Sequence, residues 1–166
     1  MKYRKNIRLR DYNYKTNGYY FVTLATKNRL PLLCSGGCKS AIEKCINELP
    51  KFIRGLSIDY FVVMDNHIHI IFVFDNCTRT LGKVVSALKS AVSKIVAAKL
   101  VPLQRDLNSQ KTVDLHQPLQ EQIDGGIWQW NYYEHIIRNE KALDKIRRYI
   151  ANNPNAEKYN WDELEK

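Results

Sequence analysis

Between Ser57 and Phe74 the chain sets down two strand-like runs, Ser57 to Met64 and His67 to Phe74, separated only by Asp65-Asn66. Two residues leave room for a tight turn and nothing more, so the runs pair as an antiparallel hairpin. Both runs are apolar almost throughout, which predicts a sheet covered on both faces rather than one with a wet side. A chain with such a hairpin has to supply helices to cover it.

The remaining sequence supplies them. Tyr19 to Thr26 is rich in aromatic and β-branched residues and reads as a further strand, closed by Pro31 and Ser35-Gly36-Gly37. Cys38 to Phe52 spaces Ala41, Ile42, Cys45, Ile46 and Leu49 as a helix, and Thr80 to Leu100 does the same with Val85, Leu88, Val92, Ile95 and Val96. Val101 to Gly126, holding Pro102, Pro118 and Gly125-Gly126, has no sustained period and is expected to be a long loop. Ile127 to Ile137 then carries the aromatics Trp128, Trp130, Tyr132 and Tyr133. Asn139 caps a last helix that starts at Glu140 and stops near Pro154. A basic arm (1–17) and a charged tail (155–166) flank these elements. The order strand, helix, hairpin, helix, strand, helix predicts an α+β fold: a ferredoxin-like α/β sandwich with a central antiparallel sheet and helices packed on it. At 166 residues one domain is expected.

Charge narrows the partner. The chain carries 26 Lys and Arg against 17 Asp and Glu, a net charge of +9. Residues 1–100 hold 17 of the basic groups and only 6 of the acidic ones, so the positive field is concentrated there. A phosphate backbone is the natural counterpart, because Lys and Arg that neutralise phosphates release condensed counterions. Charge alone leaves simple solubility as an equal explanation. The longest uninterrupted apolar run, Ile70 to Phe74, is far short of a membrane span, and Met1 to Arg10 has no apolar stretch behind it. A cytoplasmic protein with no membrane partner is expected. Cys34, Cys38, Cys45 and Cys77 form no CxxC pair, which argues against structural zinc or a disulfide.

The sharpest local signal is His67-Ile68-His69. Strand residues two apart share a face, so both imidazoles can converge on one metal ion. Two hydrogen-bonded histidines beside a turn would satisfy the same pattern. On the last helix Leu143, Ile146 and Ile150 form a core stripe, and Tyr149 and Asn153 lie together on its flank, one turn apart. A phenol and an amide oxygen there can both face a site on the sheet. With two imidazoles nearby, Mn²⁺ is as plausible as Mg²⁺. An ordinary half-buried tyrosine fits the spacing equally well.

Met64-Asp65-Asn66-His67-Ile68-His69-Ile70 resembles the HUH motif (His, bulky apolar, His) of the single-tyrosine, IS200-like transposases. Trp128-Gln129-Trp130-Asn131-Tyr132-Tyr133-Glu134-His135-Ile136-Ile137-Arg138-Asn139, with Arg147-Arg148-Tyr149-Ile150-Ala151-Asn152-Asn153-Pro154, resembles their REP-associated branch. Leu81-Gly82, Leu88-Lys89-Ser90 and Tyr20-Phe21-Val22-Thr23 fit the same family, so the resemblance covers most of the chain. It implies that His67 and His69 are metal ligands, Asn153 the third ligand and Tyr149 the nucleophile, with a divalent Mg or Mn ion as cofactor. The implied reaction cuts and rejoins single-stranded or hairpin DNA through a 5′-phosphotyrosine intermediate. Arg4, Lys5, Arg8, Arg10, Lys89, Arg138, Arg147 and Arg148 are then the candidate DNA contacts, Arg147 and Arg148 also being placed to ease ionisation of Tyr149. Asp65 stands where the family usually has proline, Trp130 stands where a basic residue is common, and Val101 to Gly126 has no counterpart. Glu134 and His135 receive no step. The resemblance admits a monomer with its own complete site or a homodimer exchanging the last helix. A non-catalytic nucleic-acid-binding module and a water-using metallophosphoesterase are the rival readings.

Overall fold

The structure, a computed structural model, describes residues 9, 11–34, 37–108 and 126–153. The predicted elements appear as β1 (Gly18–Ala25), α1 (Cys38–Glu48), β2 (Leu56–Val63), β3 (His67–Phe74), α2 (Leu81–Asn108), β4 (Tyr133–Ile137) and α3 (Glu140–Asn152). The four strands form one antiparallel sheet in the order β2-β3-β1-β4, the ferredoxin-like arrangement expected. None of the helices among the described residues is long and apolar enough to cross a membrane.

Strand alternation divides the core in two. Ile68, Ile70, Phe72 and Phe74 of β3 join Tyr20, Val22 and Leu24 of β1 under α1 and α2. Phe21 and Ile71 point the other way, where α3 covers them with Ala142, Leu143, Ile146 and Ile150. Helix α3 starts where predicted because the Asn139 side chain accepts the Ala142 amide at 2.8 Å. Its far end is tied to the sheet through Arg147, whose Nε donates to Asp59 Oδ2 at 2.9 Å while its Nη2 donates to Oδ1.

The Asp65-Asn66 hairpin turn closes with the Met64 amide on the His67 carbonyl at 2.9 Å. Neither turn residue has a positive φ, so this is not the primed turn whose twist matches the strands unaided. It is held from outside instead. Fully buried Thr26 donates its amide to the Asn66 carbonyl at 2.9 Å, and its hydroxyl lies 2.7 Å from the Leu30 carbonyl and 3.0 Å from that of Asn66. Leu33 donates its amide to the Asp65 carbonyl at 2.9 Å. Inside this braced segment Asn28 and Arg29 both adopt left-handed backbone, with φ of 54° and 56°, a strain of about 1–3 kcal/mol per residue that only surrounding bonds can maintain.

Three expectations are corrected. Helix α2 does not stop at Leu100 but runs through Pro102 to Asn108, so the first part of the expected loop is helical. Val96, Leu100, Leu103 and Leu107 continue the 4-3-4 apolar spacing, and proline removes one backbone bond without ending a 28-residue ladder. Strand β2 is an edge strand, with Tyr60 exposed and a bulge at Asp59, so of the two hairpin strands only β3 is buried on both faces. The aromatic segment pairs as a strand only from Tyr133; before that, Trp128 makes a single bridge to Thr26. Residues 109–125, 154–166 and most of the basic arm, Arg4, Lys5, Arg8 and Arg10 included, lie outside the described residues.

Thr26→Val removes the hydroxyl that braces two carbonyls while keeping the side chain's shape. We expect a loss of about 1–3 kcal/mol in urea unfolding, with an unchanged denaturant slope. A midpoint equal to wild type would show that the brace carries no stability.

Candidate functional site

Register sets the site. Val62, His69, Thr23 and Tyr133 stand side by side across the four strands on the face that α3 covers. The neighbouring row is apolar at its centre, with Ile71 beside Phe21, and lies under the body of α3. The last turn of α3 reaches the polar row, bringing Tyr149 over His69 with the phenol oxygen 3.4 Å from Nε2. The His67 and His69 rings are 4.6 Å apart at 76°, and His69 stacks on Phe21. Thr23, Arg29, His67, His69, Tyr133 and Tyr149 line a cavity of about 240 Å³.

Hydrogen bonds orient both imidazoles. The Asn66 amide nitrogen donates to the Arg29 carbonyl at 3.2 Å, which turns its oxygen toward His67 Nδ1, 2.7 Å away. An amide oxygen only accepts, so His67 carries its proton on Nδ1 and the neutral ring keeps a lone pair on Nε2. His69 Nδ1 lies 2.8 Å from Thr23 Oγ1; donation in that direction likewise leaves Nε2 free to face the cavity. Asn153, the residue closing α3, hydrogen-bonds through its side chain to both His67 and Tyr149.

Burial keeps the rings neutral. It lowers the proton affinity of His69 to a pKa of about 3, with His67 and Arg29 adding to the effect. His67 is lowered for the same first reason, partly offset by the bond to Asn153. Burial raises the Tyr149 phenol above its ordinary value, against the pull of the Asn153 bond and the Arg29 charge. Neutral imidazoles with directed lone pairs and an amide oxygen suit a divalent cation. Among the described residues no cluster of three His, Cys, Asp or Glu side chains could hold one, and the oxygen-bearing side chain beside the two histidines is the amide of Asn153. The end of α3 adds the negative pole of its helix dipole.

The structure therefore brings His67, His69, Tyr149 and Asn153 together, and it scatters the described cationic candidates. Arg147 faces Asp59 and Asp144, and the cation acting on Tyr149 is Arg29. Lys89 lies under the opposite face, where its ammonium is 2.9 Å from the Gln129 carbonyl and beside the rings of Trp128 and Tyr132. Arg138 is exposed at the other end of the sheet, beside the start of α3, and Arg148 is exposed on α3. Trp128 and Tyr132 pack against the core, whereas Trp130 is 79% exposed. Glu134 and His135 sit in β4 opposite Val22 and Phe21, outside the cavity lining. Thr23, Asn66 and Arg29 were missed by sequence reasoning. Asn66 adjoins the His-x-His pattern and carries a local signal, but Thr23 and Arg29 join only through register and turn geometry.

A family model described as "Transposase IS200 like" matches residues 14–153. An uncharacterized protein of Haemophilus influenzae is 28% identical over 169 residues, covering 92% of this chain and 88% of that one. The structure of a REP-associated tyrosine transposase bound to a REP hairpin superposes with a TM-score of 0.59 at 22% identity, over 89% of this chain and 72% of the other. A crystal structure from Deinococcus radiodurans R1 gives 0.53 at 22% identity, over 87% and 95%. At that identity the two structures speak for the fold.

His69 fixes the sign of a pH effect. Its pKa is about 3 when folded against an ordinary 6.5. Between those values the unfolded chain binds the extra proton, so the stability it contributes is present above pH 6.5 and is lost as pH falls toward 3. In metal-free protein we expect His69→Gln to flatten the fall in unfolding free energy below pH 6 by up to about 1.4 kcal/mol per pH unit. Parallel wild-type and variant curves would show that the folded His69 takes up a proton freely.

Proposed function

The chain belongs to the IS200-like transposase family, and from that membership we propose that it is a metal-dependent DNA strand transferase in which Tyr149 is the nucleophile. The observation that carries the reading is the phenol oxygen of Tyr149 seated 3.4 Å from His69 Nε2, over a pair of neutral, oriented histidines. His67, His69 and Asn153 would hold a divalent cation, Mg²⁺ or Mn²⁺, whose chemistry is Lewis-acid polarisation of the scissile phosphate.

Tyr149 has to lose its proton to attack, and burial opposes that loss. Asn153 and the Arg29 charge oppose burial, so the fold holds a half-buried phenol whose raised proton affinity these two groups partly offset. Attack forms the Tyr149 Oη–P bond and breaks the bond from phosphorus to the 3′ oxygen. That oxygen takes up a proton as the phenol gives one up, leaving a 5′-phosphotyrosine and a free 3′ hydroxyl. Because a phosphodiester is exchanged for a phosphodiester, a second 3′ hydroxyl can reverse the step without a nucleotide cofactor.

In-line attack inside a cavity of about 240 Å³ favours an unpaired, flexible strand over a duplex. The net charge of +9 supports a polyanionic partner, and exposed Trp130 offers a stacking surface. The REP hairpin on the fold neighbour supports hairpin-associated DNA as the substrate, in the manner of the REP-associated branch.

The test is covalent capture. A 3′-labelled pool of stem-loop oligonucleotides with randomised single-stranded flanks is incubated with Mn²⁺ and run on a denaturing gel. Wild-type protein is expected to retain label, chelator to prevent it, and Tyr149→Phe to abolish it while binding DNA about as well. Cleavage without adduct would identify a hydrolase instead, and binding without cleavage a recognition module.

A further inference from the structure

The cavity is lined by an exposed cation, Arg29, that nothing else in the described fold employs. Arg147 is engaged by two carboxylates and Lys89 by main-chain carbonyls, but the Arg29 guanidinium has no carboxylate or carbonyl partner among the described residues. It comes from the connection after β1, not from any segment that the histidines or Tyr149 occupy. It nonetheless lines the same cavity as His67, His69, Thr23 and Tyr149.

Its backbone is built in rather than loosely draped. Arg29 donates its amide to the Thr26 carbonyl at 3.1 Å and accepts Asn66 Nδ2 at 3.2 Å, and the same Asn66 receives the His67 Nδ1 proton. Two successive left-handed residues, Asn28 and Arg29, are kept in place by this bracing. Strain of that kind persists where the surroundings over-determine it, and it clusters at functional sites. The Arg29 charge is felt at His67, His69 and Tyr149 alike, so all three groups lie within its field.

We propose that Arg29 is a catalytic residue that binds the non-bridging oxygens of the scissile DNA phosphate and holds the phosphorus against Tyr149. A guanidinium suits this role, being permanently charged and presenting a planar fork of donors that matches two phosphate oxygens. It takes part in no bond exchange. Its contribution is charge aimed where negative charge gathers as the phenol oxygen arrives and the 3′ oxygen leaves. The assignment rests on the transferase reading for the identity of the phosphate, and on the cavity alone for the anion site.

Two measurements separate those dependencies. In the first, the captured stem-loop oligonucleotide is used in single-turnover adduct formation with full-length wild type, Arg29→Gln and Lys51→Gln, a charge-matched change on the far side of the fold. Arg29→Gln is expected to slow adduct formation by about 10²- to 10³-fold with little change in overall DNA affinity, and Lys51→Gln to match wild type. In the second, metal-free protein is titrated with inorganic phosphate while the Arg29 Nε–H resonance, assigned by its absence in Arg29→Gln, is followed by NMR. A saturable shift is expected. An Arg29→Gln rate equal to wild type, or an Arg29 resonance that phosphate does not move, would overturn the proposal. If no oligonucleotide forms an adduct, the transferase reading fails, and the phosphate titration still decides whether Arg29 forms an anion site.

Discussion

Strand β3 is buried on both faces, and the rest of the molecule depends on which of its residues goes to which face. Ile68, Ile70, Phe72 and Phe74 enter the core beneath α1 and α2, while His67, His69 and Ile71 look toward α3. A slip of one residue would exchange the two sets, placing imidazoles in the larger apolar core and leaving Tyr149 facing isoleucine. Buried polar rings are tolerable only when their hydrogen bonds are met, an unmet one being worth about 1–3 kcal/mol. Thr23, Asn66 and Tyr149 meet them here, and each arrives from a different part of the chain. The requirement to satisfy one buried and one half-buried imidazole thus assembles most of the site before any metal or substrate is considered.

Helix α3 is docked to serve that row. Its apolar stripe covers Phe21 and Ile71, Asn139 caps its start, and the Arg147 fork on Asp59 anchors it to the bulged edge strand. Asp59 is at once the residue that breaks the β2 ladder and the carboxylate that holds the helix. With both ends held, the last turn overhangs the histidines, so the phenol's position is set by packing rather than by a mobile loop. That is the preorganisation the proposed strand transfer would require, since little covalent chemistry would be left for the protein beyond placing charge and nucleophile.

Much of this was legible in the chain itself. A near-continuous apolar run marked β3, the two-residue strand repeat gave His67 and His69 a shared face, and helical spacing put Tyr149 and Asn153 on one flank of a stripe that is indeed buried. Asn139 announced the start of α3. These are local signals, carried by residues within a turn or two of one another, and periodicity reports them faithfully because the backbone repeats fix side-chain direction. Pro102 shows the limit of such reasoning: a breaker by propensity, it sits within a helix long enough to do without one hydrogen bond.

Convergence was a different matter. Nothing near Arg29 in sequence links it to Tyr149, 120 residues away. Basic residues of equal formal charge also came out unequal, Arg147 drawn to carboxylates, Lys89 to carbonyls on the opposite face, and Arg29 left in the cavity. Residue type and spacing settle which atoms can do chemistry, because those are properties of side chains and of the local backbone repeat. Which of them meet is decided by cross-strand register and by long-range hydrogen bonds such as those of Thr26 and Asn66, whose partners exist only once the chain has closed on itself.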